Sequence, residues 1–344
     1  MNFASDNAYG VLPQVMESLA RINTGAEPAY GADSITAGLA QRFGALFERE
    51  VAVFAVTTGT AANALALATL TPPHGAIFCH AQSHIIDSEC GAPEFYAHGA
   101  KLIGLEGDHG KLSLETITAA IDAVPRGFVH THQPFTVSLS QPTELGAVYG
   151  LEEIKTIAEA CHARGVKLHI DGARFANALA ALNASPAEAT WKCGVDALSF
   201  GASKGGTMGA EAVVFFHPSD AADFEYRRKK GGHLVSKMRF ISAQLEAFIE
   251  DGLWLQAAGR ANALARRLAD GLGGINSVTI TAPVETNMVF ADMPAEMAER
   301  LRAAGAVFYD WTPPRRGRVL ARLALSFATP DEDVAKFIEI AKSA

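Results

Sequence analysis

An acidic side chain and a lysine each follow a run of strand-forming residues in this chain. Asp171 is the last residue of the run "KLHID". Lys204 lies in "SFGASKGG", whose first three residues end the next such run, 197–201. A carboxylate at the end of a buried strand needs a positive partner. A lysine enclosed by small residues loses its proton more readily and then attacks a carbonyl carbon. The alternative for Lys204 is an ordinary loop lysine.

A third candidate is the turn "TTGTAANAL", where Thr58, Gly59 and Thr60 (the 58–60 turn) stand between a predicted strand and a predicted helix. Backbone N–H groups at a helix start, the helix dipole and the hydroxyls suit a phosphate group. The alternative is an ordinary helix start capped by Thr58 or Thr60. Neither GxGxxG nor GxxxxGK[ST] follows the strand, so dinucleotide binding and P-loop binding are not supported.

These three groups are predicted to meet, because the carboxyl ends of parallel strands open onto a common crevice. A carboxylate pairs with a protonated ring nitrogen, a lysine forms an imine, and a helix start holds a phosphate. Pyridoxal 5′-phosphate is a cofactor that offers all three groups. The sequence therefore predicts a pyridoxal-phosphate site in which the partner of Asp171 is the pyridinium N–H.

The elements that must position these groups alternate between strands and helices. Residues 151–165 illustrate the helices, because their apolar positions fall on one face and Gly165 ends the pattern. The alternation predicts an α/β fold with a largely parallel sheet covered by helices on both faces. The predicted strands are 51–56, 76–80, 101–105, 135–141, 167–171, 197–201 and 212–216.

The pattern changes after residue 235, where a smaller α+β domain is predicted. A long helical region comes first, and the elements after it are strands at 278–283, 287–293 and 322–329 and helices at 294–305 and 331–343. We therefore expect an N-terminal arm over 1–25 that contributes to the site, a large cofactor-binding domain over 26–240 and a small C-terminal domain over 241–344.

Composition and charge restrict the classes of function. The 344 residues are 49% hydrophobic and 19% charged, which is typical of a soluble globular protein, and the net charge of −8 argues against a general nucleic-acid binder. No apolar run approaches the roughly 18 residues of a membrane helix, and "MNFASDNAYG" does not resemble a signal peptide. The cysteines are widely spaced, at Cys79, Cys90, Cys161 and Cys193. We expect a cytoplasmic protein with reduced thiols and with no nucleic-acid or membrane partner.

Several segments together resemble one enzyme family. They are "FASDN", "AYGAD", "TTGTAANALAL", "SHIIDSECGAPEF", "LHIDGARFANAL" and "SFGASKGG". In this order they resemble the low-specificity L-threonine aldolases and phenylserine aldolases, which are fold-type-I pyridoxal-phosphate enzymes of the β-eliminating lyase group. The resemblance covers most of the chain and is densest over 3–240. It implies a carbon–carbon lyase that cleaves L-threonine, L-allo-threonine or phenylserine to glycine and an aldehyde.

The resemblance also implies a role for each matching residue around the cofactor. Lys204 matches the lysine that carries the cofactor covalently, and Asp171 matches the partner of its ring nitrogen. The 58–60 turn matches the phosphate-binding turn. His84 matches the histidine that stacks on the cofactor ring and lies near the β-hydroxyl of the substrate.

Other matches concern the substrate and the neighbouring subunit. Ser5, Arg174 and Arg322 match groups that hold the α-carboxylate of the substrate, and Arg174 also lies beside the cofactor. Tyr30 matches a residue of the neighbouring subunit's site. The resemblance implies a homotetramer built from dimers whose interfaces form the sites, with a small β-hydroxy amino acid as substrate.

Two segments depart from the family pattern. Residues 140–146, "SQPTELG", replace a different common segment near the β-carbon pocket, so the preference for methyl or aryl substituents stays open. The basic stretch 226–239 also differs. There, Arg228 or Lys229 is expected either to reach the phosphate or to lie at a solvated helix end.

His84 is the candidate base for the β-hydroxyl proton, directly or through a water, because imidazole titrates near neutral pH. A satisfied core histidine is the alternative. The spacing of Cys79, His80, His84 and Cys90, and of the histidines in 130–132, does not match a zinc site, so no metal is expected.

Two other functions compete with the aldolase prediction. β-Elimination or transamination could take place on the same scaffold. A Rossmann-type NAD oxidoreductase would explain the alternating elements, but the missing glycine fingerprint argues against it.

Overall fold

The computed structural model describes residues 1–343 and has a seven-stranded sheet at its centre. All seven predicted strands are present, and their ends lie within two residues of the predicted ones. The strands are β1 Ala52–Val56, β2 Gly75–His80, β3 Lys101–Leu105, β4 Gln133–Ser140, β5 Lys167–Gly172, β6 Ala197–Phe200 and β7 Glu211–Phe215.

The sheet is largely parallel, as predicted, with the order β1-β7-β6-β5-β4-β2-β3. The pairs β2–β3, β2–β4, β4–β5 and β5–β6 are parallel, whereas β7 runs antiparallel to β1 and β6. β7 is reversed because it returns from β6 through the short segment 201–210, which contains no helix to carry the chain back across the sheet. Lys204 lies on that return.

Helices surround the sheet and continue into the C-terminal part. The predicted long helical region after residue 235 is divided by Asp251 and Gly252, whose φ angles are +49° and +70°, a conformation that glycine adopts readily. The helices are α1 Pro13–Ile22, α2 Ser34–Phe47, α3 Gly59–Leu70, α4 His84–Asp87, α5 Ala92–Tyr96, α6 Leu114–Asp122, α7 Leu151–His162, α8 Phe175–Leu182, α9 Phe224–Lys230, α10 Met238–Ile249, α11 Leu253–Gly273, α12 Ala295–Ala303 and α13 Asp331–Lys342. Within residues 1–343, none of these helices has the length and apolar character needed to cross a membrane.

A second, smaller sheet lies in the C-terminal part and is antiparallel throughout, with the order β10-β11-β9-β8. Its strands are β8 Thr279–Ile280, β9 Met288–Pro294, β10 Tyr309–Asp310 and β11 Arg318–Ala324. The α+β prediction is therefore confirmed, but the sequence pattern overestimated β8, missed β10 and placed the last strand at 322–329, of which only 322–324 belong to β11. Two-residue strands are too short to carry a detectable alternation.

The N-terminal arm is attached to this smaller sheet. Phe3 is fully buried and its ring lies 5.2 Å from that of Phe337 in α13. The backbone of Phe3 donates to Val307 and accepts from Ala324, both at 2.8 Å. These contacts hold the residues that follow Phe3 near the carboxyl edge of the large sheet. The domain boundaries at 25/26 and 240/241 stay predictions.

At the opposite end of β5, a buried carboxylate holds the strand in place. Asp196 is 2% exposed and accepts hydrogen bonds at 2.8 Å from the backbone of Leu168 and from Nε2 of His162. Its other oxygen lies 3.0 Å from Nζ of Lys167. Burial would raise the pKa of Asp196, but these donors hold it below its usual value. The network anchors the strand that carries Asp171.

The same network makes stability depend on pH. The hydrogen bond to Asp196 raises the pKa of His162, so the stabilisation is complete below about pH 6.5 and is lost as the pH rises through the folded-state value. The free energy of unfolding of His162→Gln, measured by denaturant titration, should differ from that of the parent protein more at about pH 6 than at about pH 9. The matched change at exposed His130 should show no such pH dependence, and an equal difference at both pH values would contradict the assignment.

Candidate active site

The carboxyl edge of the large sheet carries a cavity of about 320 Å³. It is lined by Asp171 near the end of β5, by Lys204 in the loop after β6, by the 58–60 turn before α3 and by His84 at the start of α4. A larger groove, of about 740 Å³ beside α2 and α10, is not lined by any of the predicted site residues. The structure thus brings the carboxylate, the amine and the helix start together in one cavity.

Asp171 is 5% exposed and has a protein partner for each oxygen. Oδ1 accepts from the backbone of Ala173 at 3.0 Å, and Oδ2 accepts from the amide of Asn63 at 2.9 Å. Asn63 lies on α3, and its amide also donates to Glu89 at 2.9 Å. Sequence reasoning missed Asn63, although a lone asparagine in the otherwise apolar "AANALALATL" was an available signal.

A carboxylate on β7 accepts hydrogen bonds from the backbone of the loop that carries Lys204. Glu211 is buried and accepts from the backbone N–H groups of Ala202 at 2.6 Å and Ser203 at 3.4 Å. Burial raises the pKa of Glu211. Glu211 was not predicted, because its position in a buried strand gives no local indication of the loop that it binds.

This loop packs directly against the end of β5. A Cβ atom at Gly201 would lie 2.4 Å from the backbone oxygen of Ala173, so only glycine permits the contact. The glycine-rich "SFGASKGG" therefore serves a close approach of two backbones, which brings Lys204 to the strand that carries Asp171.

The amino group of Lys204 lies in an environment that disfavours its charge. Burial lowers the pKa of Lys204, and the positive charge of Arg174 lowers it further. Asp6 and Asp171 act in the opposite direction without reversing the shift. A lysine with a lowered pKa supplies the neutral amine that nucleophilic attack requires.

The 58–60 turn is a capped helix start, and phosphate binding there stays a prediction. Thr58 is the N-cap of α3, and its hydroxyl accepts from the backbone of Ala61 at 3.1 Å. The N–H groups of Gly59 and Thr60 belong to the first turn, where no acceptor exists within the helix. A Cβ atom at Gly59 would meet nothing within 4 Å, so the turn has room for an anion. Thr57, which was not predicted, also lines the cavity, and its hydroxyl lies 2.8 Å from Nδ1 of His233.

Neither cation proposed for the phosphate lines this cavity. Arg228 is 4% exposed and donates to the backbone of Ala55 and to Glu225, so its placement at a solvated helix end is wrong. The ammonium group of Lys229 lies 4.3 Å from the ring centre of Tyr30. Tyr30 is exposed and does not line this cavity, so its role in a neighbouring site stays a prediction.

A second cavity, of about 310 Å³, adjoins the first and shares Lys204 and His84 with it. Ser5, Arg174 and Arg322 line this second cavity. The structure therefore brings the three predicted carboxylate-binding residues together, from the N-terminal arm, from the segment after β5 and from β11.

Arg174 is oriented by a carboxylate of the N-terminal arm. Its Nε and Nη2 donate to the two oxygens of Asp6 at 2.6 and 2.9 Å, and Asn287 also donates to Asp6 at 3.0 Å. Burial alone would raise the pKa of Asp6, but the Arg174 guanidinium holds it below its usual value. Asp6 was not predicted as a site residue, although it lies in "FASDN", one of the segments that carry the family resemblance.

Arg322 lacks a comparable partner. Its buried Nε has no hydrogen-bond acceptor among residues 1–343, and its guanidinium carbon lies 5.8 and 5.7 Å from the ring centres of Tyr309 and Trp311. Burial lowers the pKa of Arg322, and Arg174 adds to this effect. Arg174 is paired with the Asp6 carboxylate, whereas Nε of Arg322 has no acceptor among residues 1–343, so Arg322 is available to an anionic ligand.

His84 is oriented by a buried carboxylate that sequence reasoning also missed. Its Nδ1 lies 2.8 Å from Oε1 of Glu89, which is 4% exposed. This hydrogen bond raises the pKa of His84. Because Nδ1 is occupied, Nε2 remains for a ligand. Glu89, together with Asn63, links His84 to Asp171 through hydrogen bonds.

Known proteins resemble this chain over nearly its whole length. The model of the beta-eliminating lyase family matches residues 2–296. The low specificity L-threonine aldolase of Pseudomonas sp. (strain NCIMB 10558) is 43% identical over 309 residues, covering 90% of this chain and 89% of the relative. The enzyme of the same name from Pseudomonas aeruginosa is 42% identical over 340 residues, covering 99% and 96%.

A solved structure agrees with these sequence matches. The threonine aldolase of Leishmania major superposes with a TM-score of 0.93 at 28% identity, covering 99% of this chain and 98% of that one. The predicted fold-type-I architecture is therefore confirmed. The chain belongs to the beta-eliminating lyase family and, within it, to the group of low-specificity L-threonine aldolases.

Proposed function

We propose that this protein is a pyridoxal-phosphate-dependent aldolase that cleaves the Cα–Cβ bond of L-β-hydroxy-α-amino acids, releasing glycine and an aldehyde. L-Threonine, L-allo-threonine and phenylserine are the proposed substrates. The observation that carries the proposal is the position of Lys204, which lines both adjoining cavities. A lysine that carries such a cofactor must give up its place to the amino group of the substrate, so it has to border both the cofactor cavity and the substrate cavity, as Lys204 does.

The residues of the first cavity fit pyridoxal 5′-phosphate. Asp171 would bind the ring nitrogen, Lys204 would carry the aldehyde carbon, and the 58–60 turn would hold the phosphate with its free N–H groups. His84 would stack on the ring, and Arg174 would lie beside it. When bound there, the cofactor supplies an electron-accepting ring joined to the α-carbon of the amino acid.

The residues of the second cavity would bind and orient the substrate. Ser5, Arg174 and Arg322 would hold its α-carboxylate, since paired guanidinium groups suit a carboxylate. A fixed carboxylate determines which bond at the α-carbon is aligned for cleavage. In this arrangement the Cα–Cβ bond is the one presented.

His84 would accept the proton of the β-hydroxyl as that bond breaks. The O–H electron pair becomes the second bond of the aldehyde carbonyl, and the Cα–Cβ electron pair remains with the glycine fragment. The hydrogen bond between His84 and Glu89 raises the pKa of His84, which makes the imidazole a stronger base near neutral pH.

We also propose a homotetramer in which dimer interfaces complete the sites, and a cytoplasmic location. Tyr30 supports the first proposal, because it is 53% exposed and lines neither of the two site cavities described for its own chain. β-Elimination and transamination remain the competing reactions on this scaffold. The Rossmann-type oxidoreductase is not supported, since the chain belongs to a different family.

Product analysis tests the proposed reaction. Incubation with L-threonine, L-allo-threonine or phenylserine should give equimolar glycine and the corresponding aldehyde, quantified by chromatography. No nicotinamide cofactor should be required. Ammonia and a keto acid as the main products would contradict the aldolase proposal and favour β-elimination.

Replacing the proposed cofactor lysine should remove both the visible absorbance of the bound cofactor and nearly all activity. For Lys204→Ala we expect a loss of at least about 1,000-fold in kcat, because no other lysine among residues 1–343 lines both cavities. Lys192→Ala, at a surface lysine that pairs with Glu48, should retain both properties. Parental turnover by Lys204→Ala without added amines would defeat the assignment.

Removing the charge of Asp171 should weaken cofactor retention and slow cleavage. For Asp171→Asn we expect kcat to fall about 100-fold, because the side chain no longer stabilises a protonated ring nitrogen. Asp220→Asn removes a carboxylate that binds Lys167 at the opposite end of β5 and should retain parental kcat. Unchanged kcat and cofactor affinity in Asp171→Asn would show that Asp171 does not bind the ring.

A further inference from the structure

A half-buried carboxyl group, Glu144, lies at the substrate cavity and has no role in the proposed mechanism. Glu144 belongs to the segment 140–146, and it lines the 310 Å³ cavity together with Arg174 and Arg322. Its Oε1 accepts hydrogen bonds at 2.8 Å from the backbone of His84 and from the hydroxyl of Ser140. Its Oε2 is buried and has no hydrogen-bond partner among residues 1–343.

Such an oxygen points to a missing ligand. Buried polar atoms in native proteins are nearly always hydrogen bonded, and exceptions occur where a water or a bound molecule supplies the partner. Ser140 and the backbone of His84 occupy only Oε1, which leaves Oε2 for a group inside the cavity.

The charges around Glu144 indicate which kind of ligand group Oε2 would bind. Burial raises the pKa of Glu144, and the negative charge of Asp171 raises it further, whereas its own hydrogen bonds act in the opposite direction. Arg174 and Arg322 line the same cavity and would attract the carboxylate of the substrate. A second anion beside Glu144 would be repelled, whereas an uncharged hydroxyl both donates to a carboxylate and accepts from a carboxylic acid.

Glu144 and His84 lie on the same side of the cavity, since Oε1 of Glu144 accepts a hydrogen bond of 2.8 Å from the backbone N–H of His84. In a β-hydroxy amino acid, the carboxylate and the hydroxyl are carried by adjacent carbons. A molecule held by Arg174 and Arg322 could therefore reach this side with its hydroxyl. The side chains of Met288 and Trp311 also line the cavity and offer apolar surface to the β-substituent.

We propose that Oε2 of Glu144 binds the β-hydroxyl of the substrate and, with His84, determines which β-diastereomer is cleaved. This inference rests on the proposed aldolase function. The two diastereomers exchange the positions of the hydroxyl and the β-substituent. Only one of them therefore places its hydroxyl at Glu144 and its substituent at the apolar surface.

The substitution E144Q tests this role, because it keeps an oxygen for His84 and Ser140 and replaces Oε2 with an amide NH₂. We expect kcat/KM to fall about 10- to 100-fold for the preferred β-hydroxy substrate, as for loss of a hydrogen bond to a charged or acidic group. The ratio of kcat/KM for threonine and allo-threonine should move towards one. Glycine has no β-hydroxyl, so its Kd, measured from the absorbance of the bound cofactor, should stay within about 3-fold.

The matched control is E152Q, the same change at an exposed position in α7, which should leave every value unchanged. Absence of glycine and aldehyde with the parent protein would overturn the proposed function and this inference together. If the parent cleaves these substrates, two outcomes overturn the inference alone. One is a kcat/KM of E144Q within about 3-fold of the parent value for every substrate. The other is a loss of glycine affinity as large as the loss of kcat/KM, which would assign Glu144 a structural role.

Discussion

A carboxylate and an amine, brought to one cavity from consecutive strand ends, set the requirements that the rest of the structure meets. Asp171 accepts one hydrogen bond on each oxygen, from Ala173 and Asn63, which stabilises its burial at the end of β5. The loop of Lys204 is held by Glu211 on the neighbouring strand, which accepts from its backbone N–H groups. Each group is therefore supported by its own partners, and both face the same cavity. Burial lowers the pKa of the amine, which favours its reactive neutral form.

The substrate side of the site depends on contacts that join three distant parts of the chain. Phe3 is buried in the smaller C-terminal core and holds the N-terminal arm in place. The arm then presents Asp6, which pairs with Arg174 after β5 and accepts a hydrogen bond from Asn287, the residue before β9. This arrangement fixes one guanidinium group while Arg322, from β11, retains an unpartnered Nε within residues 1–343. The smaller sheet is thus part of the binding surface rather than a separate attachment.

Buried acidic groups are unusually dense around this site, and their partners separate their roles. Glu89 is hydrogen bonded to His84 and Asn63, so its function is to orient other side chains. Glu211 accepts from the backbone N–H groups of Ala202 and Ser203 and shapes a loop. Glu144 and Glu89 each have one oxygen in hydrogen bonds and one without a partner in the described chain, but only Glu144 of these two lines the cavity that also holds Arg174 and Arg322. Where a family scaffold is shared, such a residue in a divergent segment is where substrate preference can differ.

The amino-acid sequence by itself determined the strands of the large sheet and the residues that end them. Local hydrophobic patterns encode strands, and the rule that parallel strands end at one edge was sufficient to place Asp171 beside Lys204. Only the tertiary structure revealed that Asn63 binds Asp171, because these residues are far apart in the chain and neither local pattern indicates the other. For the same reason the sequence did not predict Glu211, and it left open whether Arg228 reaches a phosphate or lies at a solvated helix end, whereas in the structure Arg228 is buried. Periodicity depends on neighbours along the chain, whereas hydrogen bonds between buried groups depend on how the elements pack.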